Sequence, residues 1–594
     1  MITSKSIAVL PFKNLSPDPE NEYFSDGMTE ELINALSQID ELKVTARTSS
    51  FVFKNAKQDI REIGNKLGVS LVLEGSIRKS NERLRINAKL IQTEDGFQIW
   101  SENFDRNMIG VFELQDEISL LIADKIREHL GHLSIQDHLV KINTHNIEAY
   151  QFYLKGKYQY NKWAMQGFAE AAKEYEKSIV ADPSFDLPYF GIGLSYSFLG
   201  SWGAMDRQFA FQRVEEYFSR GNQLGTRSAY SYYSMAKHQF WGLWDYLEAY
   251  KNLLKANAIR PNDSDTNEFM AEIHILAGNF STALKYVETS LQIDPLSPSH
   301  YYTKANIYYL QGRITEALKT IEKGISVEPT FTIALEFRTA CLLQLNEKKI
   351  FLKSLASYES PLQEVLELLY TLVVENQGMD IDEVNRLISN MQQIENPPLL
   401  AWDLYLTVHS GNLEAATQLL SLKATQKMGQ VIYLKYDPLL QPLREIKAFD
   451  VLVQTYFPKN ILLNVAKKQE RAKDVLSPEE ALHHAEILLA KIEEEKLYLD
   501  VNLGLKDLAE KINLHPNKLS WLLNERVGKN FYNFINSYRL QEFQEKAIDP
   551  KNRHLSLLGL AYESGFNSKS VFNHYFKKST GLTPKAWVRQ HQTY

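Results

Sequence analysis

The sequence predicts a multidomain protein. It has an N-terminal α/β domain, a central all-α solenoid of helical repeats, and a C-terminal all-α domain made of two helix-turn-helix units. Three observations carry this reading. Near the N-terminus, short apolar runs and alternating segments read as strands interleaved with helices. In the middle, Pro261, Pro295 and Pro329 recur at a spacing of 34 residues, the mark of stacked helical units. Near the end, one pattern of alanine, turn residue and apolar helix face occurs twice, with Ala509 and Ala561 52 residues apart.

The totals narrow the classes. A chain of 594 residues has room for several domains. Apolar content of 44% and charged content of 23% fit a soluble globular protein. The single cysteine, Cys341, excludes an intrachain disulfide and a cysteine-based zinc site. Met1 to Ser6 runs directly into a strand-like segment, without the basic start and apolar run of a signal peptide. No window offers about 18 uninterrupted apolar residues for a membrane span. The expected compartment is the cytoplasm, with no membrane partner. The net charge of −7 does not suggest a nucleic-acid binder, but its distribution does. From Glu495 to Tyr594 there are 15 Lys and Arg against 9 Asp and Glu, or +6, which leaves −13 on the rest of the chain.

The first domain is expected over residues 1–135. Ile7–Phe12 reads as a buried strand. Asp26 is expected to cap a helix over Gly27–Ile39, Leu42–Ala46 is a second short strand, and Asp59–Leu67 is a helix ended at Gly68. Residues 71–104 read as antiparallel strands, because Leu84, Ile86, Ala88 and Leu90 alternate with Arg83, Arg85, Asn87 and Lys89. Asn81-Glu82 and Asp95-Gly96 supply the turns, and a helix over Val111–Leu130 closes the unit. The row Arg83, Arg85, Lys89 suits either an anion site or the solvated face of a strand. The segments Ile7–Phe12, Tyr23–Leu32 and Val72–Ile77 resemble the TolB N-terminal-like domain. That resemblance implies a module that senses a ligand or partner and brings no catalytic residues.

The repeat array is expected over residues 145–457. Ala249, Ala283 and Ala317 keep the 34-residue spacing, as do Ala271 and Ala305, and Gly278 and Gly312. Small residues at fixed sites let paired helices approach closely, and proline marks each boundary. These residues resemble tetratricopeptide repeats, best at 265–298 and 299–332. Residues 146–264 are rich in aromatics: Tyr150, Tyr153, Tyr158, Tyr160, Trp163, Trp202, Trp241 and Trp244. They suit either a ligand groove or the repeat core, while the concave face as a whole suits partner binding. Gly191-Ile192-Gly193 lacks the third glycine of a nucleotide loop. His483 and His484 point about 100° apart on a helix and cannot share a metal. No nucleophile elbow, Walker loop or His-Glu-x-x-His motif is present, so the chain reads as a non-enzyme without cofactor. A linker is expected at 458–478, carrying Lys467, Lys468, Arg471 and Lys473.

The last domain is expected over 479–594. Ser477, Pro478 and Glu480 form a helix start. Asn513 turns into a helix at Pro516 that Gly528 stops, and Gly565 turns into a helix capped by Ser568 that Gly581 stops. Leu519 corresponds to Phe572 and Leu523 to Phe576. The stretch Gly565-Phe566-Asn567-Ser568-Lys569-Ser570-Val571-Phe572, continued by Phe576-Lys577-Lys578 and Gly581-Leu582-Thr583-Pro584, resembles the AraC-type DNA-binding domain. The resemblance implies two recognition helices in successive major grooves. By position, the base-facing residues would be Asn517, Ser520, Trp521 and Asn524 in the first. In the second they would be Lys569, Ser570, Asn573 and His574, followed by Lys577 and Lys578. The sequence departs from the family at His515, where Ser or Thr is the usual cap, at Trp521, where polar readers are common, and in placing Arg589 one position late. The second helix is therefore expected to carry most polar base readout. The chain as a whole reads as a one-component, sequence-specific transcription regulator. Its expected partners are double-stranded promoter DNA and a small-molecule, peptide or protein effector, received by the repeat groove or the α/β head. Homodimerisation stays open, because one chain already holds two readers. The rival reading is a repeat-based scaffold in a signalling complex, with DNA binding secondary.

Overall fold

The computed structural model describes residues 5–591, apart from 19–20, 40, 81–82, 108–110, 141–143, 163–164, 226, 377–379, 392, 395–397 and 458–477. The expected Asn81-Glu82 turn, Trp163, the Ser477 cap and the basic linker residues fall outside the described residues.

The apolar run at the N-terminus forms β1 (Ser6–Val9), in which Ile7, Ala8 and Val9 are fully buried. The head continues with β2 (Lys13–Asn14), α1 (Glu22–Leu36), β3 (Lys43–Val44), α2 (Arg47–Phe51) and α3 (Ile60–Leu67). It closes with β4 (Leu71–Ser80), β5 (Arg83–Gln92), β6 (Gln98–Asn107) and α4 (Val111–Leu130). The sheet order is β3-β1-β4-β5-β6, with β1 parallel to β3 and β4, and β4, β5 and β6 antiparallel. The alternation of β5 works as expected: Leu84, Ile86, Ala88 and Leu90 face the core, while Arg83 and Arg85 face outward and both pair with Asp105, at 2.9 and 2.8 Å. One expectation is corrected. Asp26 does not cap α1; the helix begins four residues earlier, and Asp26 lies buried inside it, taking both its oxygens to Lys54 at 2.7 Å. Burial raises its pKa more than Lys54 lowers it.

The array begins with α5 (Ile147–Tyr160), α6 (Met165–Ala181), α7 (Leu187–Ser201), α8 (Arg207–Gln223), α9 (Ala229–Lys237) and α10 (Tyr246–Ile259). It goes on with α11 (Ser264–Leu276), α12 (Phe280–Ile293), α13 (Pro298–Leu310), α14 (Ile314–Val327), α15 (Thr332–Leu345) and α16 (Lys348–Leu355). The helices α11, α13 and α15 start 34 residues apart, and so do α12, α14 and α16. Ala249, Ala271, Ala283, Ala305 and Ala317 are all fully buried where neighbouring helices meet. Less regular pairs follow: α17 (Ser360–Val373), α18 (Ile381–Met391), α19 (Trp402–His409), α20 (Leu413–Thr425) and α21 (Lys447–Tyr456). The aromatics of the early units mostly fill the core. Tyr150, Tyr153 and Trp244 are buried, Trp202 packs on Trp241 with ring centroids 5.2 Å apart, and Tyr158 is exposed. The late turns fold back on the middle of the array, where Tyr433 meets Trp241 and Tyr436 meets Phe280. Inside this curl Lys237 lies between Glu272 and Glu268, at 3.4 and 3.8 Å, and burial pushes the Glu272 carboxyl well above the usual carboxylate range.

The head is docked on the array. Ser49 donates to Asp294 through its backbone N–H and hydroxyl and accepts from the Leu296 N–H. Lys157 of α5 pairs with Glu30 of α1 at 2.8 Å, and one apolar core runs from the head sheet through α5 to α7. Among the described residues no helix is long and apolar enough to cross a membrane, and no group of three or more His, Cys, Asp or Glu is placed to hold a metal ion.

Candidate nucleic-acid interface

Among the described residues seven α-helices form the C-terminal module: α22 (Pro478–Glu494), α23 (Leu505–Lys511), α24 (Pro516–Leu522), α25 (Phe531–Ile548), α26 (Leu557–Glu563), α27 (Lys569–Thr580) and α28 (Pro584–His591). The pairs α23–α24 and α26–α27 are the two copies. Ala509 and Ala561 are fully buried where the helices of each pair cross. The turn residues take positive φ, 51° at Asn513 and 89° at Gly565, and the stops Gly528 and Gly581 do so as well, at 72° and 74°. A Cβ at Gly565 would run into the Tyr498 carbonyl oxygen and come within 3.0 Å of Arg539 Nε, so only glycine fits.

In the second copy the Ser568 hydroxyl caps α27 by accepting from the Val571 N–H at 3.2 Å. Phe572 and Phe576 are buried against Phe543 and Phe566. That fixes the opposite face of the helix outward. Lys569, Ser570, Asn573, Lys577 and Lys578 are exposed along it, and His574 is half-buried. In the first copy His515 does the work of the missing serine: its Nδ1 accepts from the Asn517 N–H at 3.2 Å. Beyond Leu522 the helix continues as a π-helical turn to Val527.

The copies are joined by α25, 18 residues and roughly 27 Å long. Buried Arg539 on this helix donates to the carbonyls of Tyr498 (2.7 Å) and Asp500 (2.6 Å). Glu542 accepts from Lys496 and Tyr498. These bonds hold the 496–500 segment on the connecting helix, and the Gly565 turn packs closely against Tyr498 and Arg539.

The two candidate reader faces differ in what covers them. Ser520 and Trp521 are buried, Trp521 within the apolar core of the first half beside Leu519 and Leu522. Asn517 is bonded to the head. Its carboxamide oxygen accepts from Arg127 Nη1 at 2.6 Å and from the Ile135 N–H at 3.3 Å, and its Nδ2 donates to the Ile135 carbonyl at 3.0 Å. Asn524 donates to the Ser520 carbonyl, and its side chain lies where a Cβ on Gly131 would be. On the second copy, among the described residues, His574 meets the head, through Asp95 at 3.4 Å and the Phe97 ring. Sequence reasoning missed Lys506, which pairs with Asp124 at 2.6 Å, and the Arg127–Asn517 tie. Residues 390 positions apart leave no local pattern to find.

With this geometry in hand, residues 508–590 match the helix-turn-helix domain family model. The C-terminal module is an AraC-type helix-turn-helix domain. Residues 3–121 match the second domain of HilA/YgeH-like transcriptional regulators, where the sequence resemblance named the TolB N-terminal-like domain, and residues 300–331 match a tetratricopeptide repeat. Among curated proteins, a putative adenylate cyclase 3 of Rhizobium meliloti is 35% identical over 201 residues, 33% of this chain and 34% of that protein. The uncharacterized HTH-type transcriptional regulator YobQ of Bacillus subtilis is 32% identical over 90 residues, 15% of this chain and 36% of that one. The chain spans about a third of the length of each. The solved structure of Pseudomonas aeruginosa PilF shows a slight likeness, with TM-score 0.27, 14% identity, and coverage of 35% of this chain and 89% of that one. The chain thus carries a helix-turn-helix domain behind a head similar to a domain of transcriptional regulators.

Proposed function

We propose that the chain is a one-component, non-enzymatic regulator that acts in the cytoplasm and binds promoter DNA through α24 and α27. The observation that carries this is the division of α27: aromatics buried on one side, and Lys569, Ser570, Asn573, Lys577 and Lys578 exposed on the other. Such a helix is held rigidly and offers donors to base edges and phosphates. The head and the array form the input side and take a small-molecule, peptide or protein effector. Lys569→Ala and Asn573→Ala are each expected to weaken specific binding by roughly 1–3 kcal/mol per lost base contact, and Lys577→Ala and Lys578→Ala to lower the salt dependence instead. Affinity for promoter duplexes at fixed salt, and its slope with salt, checks this. Unchanged affinity in both Lys569→Ala and Asn573→Ala would remove α27 as the reader.

A further inference from the structure

We infer that the head masks the first reader, so that α24 enters DNA only after the C-terminal module has come off the end of α4. This rests on the DNA-binding reading above and adds to it an intramolecular lock.

The contact is built from both sides and is made mainly of hydrogen bonds and ion pairs. The last two turns of α4 and the segment after it present Asp124, Arg127, Glu128, His129, Gly131 and Ile135. Asn517, the first candidate base reader of α24, has its oxygen and its amide both taken by Arg127 and Ile135. The Lys506 ammonium, a natural phosphate ligand on the adjoining helix, is held by Asp124, and the Leu505 N–H donates to Glu128 at 3.2 Å. Asn530, at the start of the connecting helix, donates to the His129 carbonyl, and the His129 ring stacks on Tyr532 with centroids 4.7 Å apart. Gly131 takes φ +100° and lies so close to Asn524 that a Cβ would run into its carboxamide oxygen. A DNA duplex cannot occupy the space beside Asn517 and Asn524 while the α4 end is there.

The chemistry of the contact resembles that of the expected ligand. Two head carboxylates, Asp124 and Asp95, hold Lys506 and His574, groups that DNA would otherwise take. DNA and head therefore compete for one surface, and each weakens the other's hold on it by the same factor. A contact made mostly of hydrogen bonds and ion pairs can open without exposing a large apolar face, as interfaces between mobile domains do. The asymmetry follows: α27 stays mostly exposed for initial encounter, and α24 is withheld.

The test uses the full chain with Gly131→Cys and Asn524→Cys, which sets two thiols across the contact. The native Cys341 is fully buried and takes no part. The probe is a mixed-sequence duplex of about 30 base pairs, long enough for two readers one turn apart. The oxidised protein is expected to bind it at least about tenfold more weakly than the same protein after reduction. Reduction serves as the control for folding. In the opposite direction, Gly131→Arg drives a side chain into Asn524, and His129→Ala removes the stack on Tyr532; both are expected to bind several-fold more tightly than the parent. If the crosslink forms and oxidised and reduced proteins bind alike, α24 is not masked. If the crosslink does not form, the two surfaces are not adjacent in solution, and the inference fails while the DNA-binding reading stands. If no variant binds any duplex, Gly131→Arg included, the DNA-binding reading itself fails and takes the lock with it.

Discussion

At Gly565 three parts of the module meet: the turn between α26 and α27, the Tyr498 carbonyl and the Arg539 side chain. Gly565→Ala adds a clash with backbone to an unfavourable φ. It is expected to cost roughly 2–3 kcal/mol or more, read as a lower denaturant midpoint for the C-terminal module. His238 offers a second residue-level test. It is buried between α7 and the array interior, bonded to Ser197, and burial, with Arg207 nearby, pushes its pKa down to about 4. The unfolded chain takes up a proton near the ordinary value of about 6.5, whereas the folded chain does not until about 4. The contribution of the neutral ring is therefore complete above pH 6.5 and is lost as pH falls toward 4, by roughly 3 kcal/mol at most. The stability gap between the parent and His238→Gln should narrow over that window in denaturation at pH 7, 5 and 4. Some of these residue roles were legible in the sequence and some were not. Gly565, Gly581 and Asn513 declared their positive φ by type and position. Asp26 misled, because an acidic residue ahead of an apolar stretch looks like a cap whether it precedes the helix or is buried inside it against Lys54.

At the scale of elements, periodicity did most of the work. The 34-residue spacing of proline, alanine and glycine appears in the helix starts of α11, α13 and α15, because each unit must bury the same small face against its neighbours. The alternation of β5 was legible for the same reason, with one face buried in the head core. The short helix α2 had no such signal; five residues carry too little period to read, and its place is set by the bonds of Ser49 to Asp294. Helix ends are testable here. The Ser568 hydroxyl satisfies an otherwise unpaired N–H of α27, so Ser568→Ala is expected to lower module stability by about 1 kcal/mol without changing which bases are read. His515→Ala should act in the same direction on α24, since the imidazole does the same work there. Equal stability of the parent and Ser568→Ala would mean that water replaces the cap at no cost.

The whole molecule joins three units through contacts that sequence patterns do not report. Ser49 with Asp294, Lys157 with Glu30, and Arg127 with Asn517 connect residues from 127 to 390 positions apart. The fold of each unit was legible because each repeats or alternates within itself; their docking was not, because it depends on side chains that look like ordinary surface polar residues until they meet. On the proposed function, head and array are the input side of this docked arrangement and the C-terminal module is the output side, with α27 mostly exposed. The output side is proposed to bind particular DNA. The direct measurement is genome-wide occupancy of the intact chain beside the double variant Lys569→Ala, Asn573→Ala, expressed at equal level. Discrete promoter sites sharing one sequence are expected for the parent, and they are lost or sharply reduced in the variant. Occupancy without discrete sites, or the same sites at the same strength in both proteins, would contradict the proposal and favour a repeat scaffold whose DNA contacts are secondary.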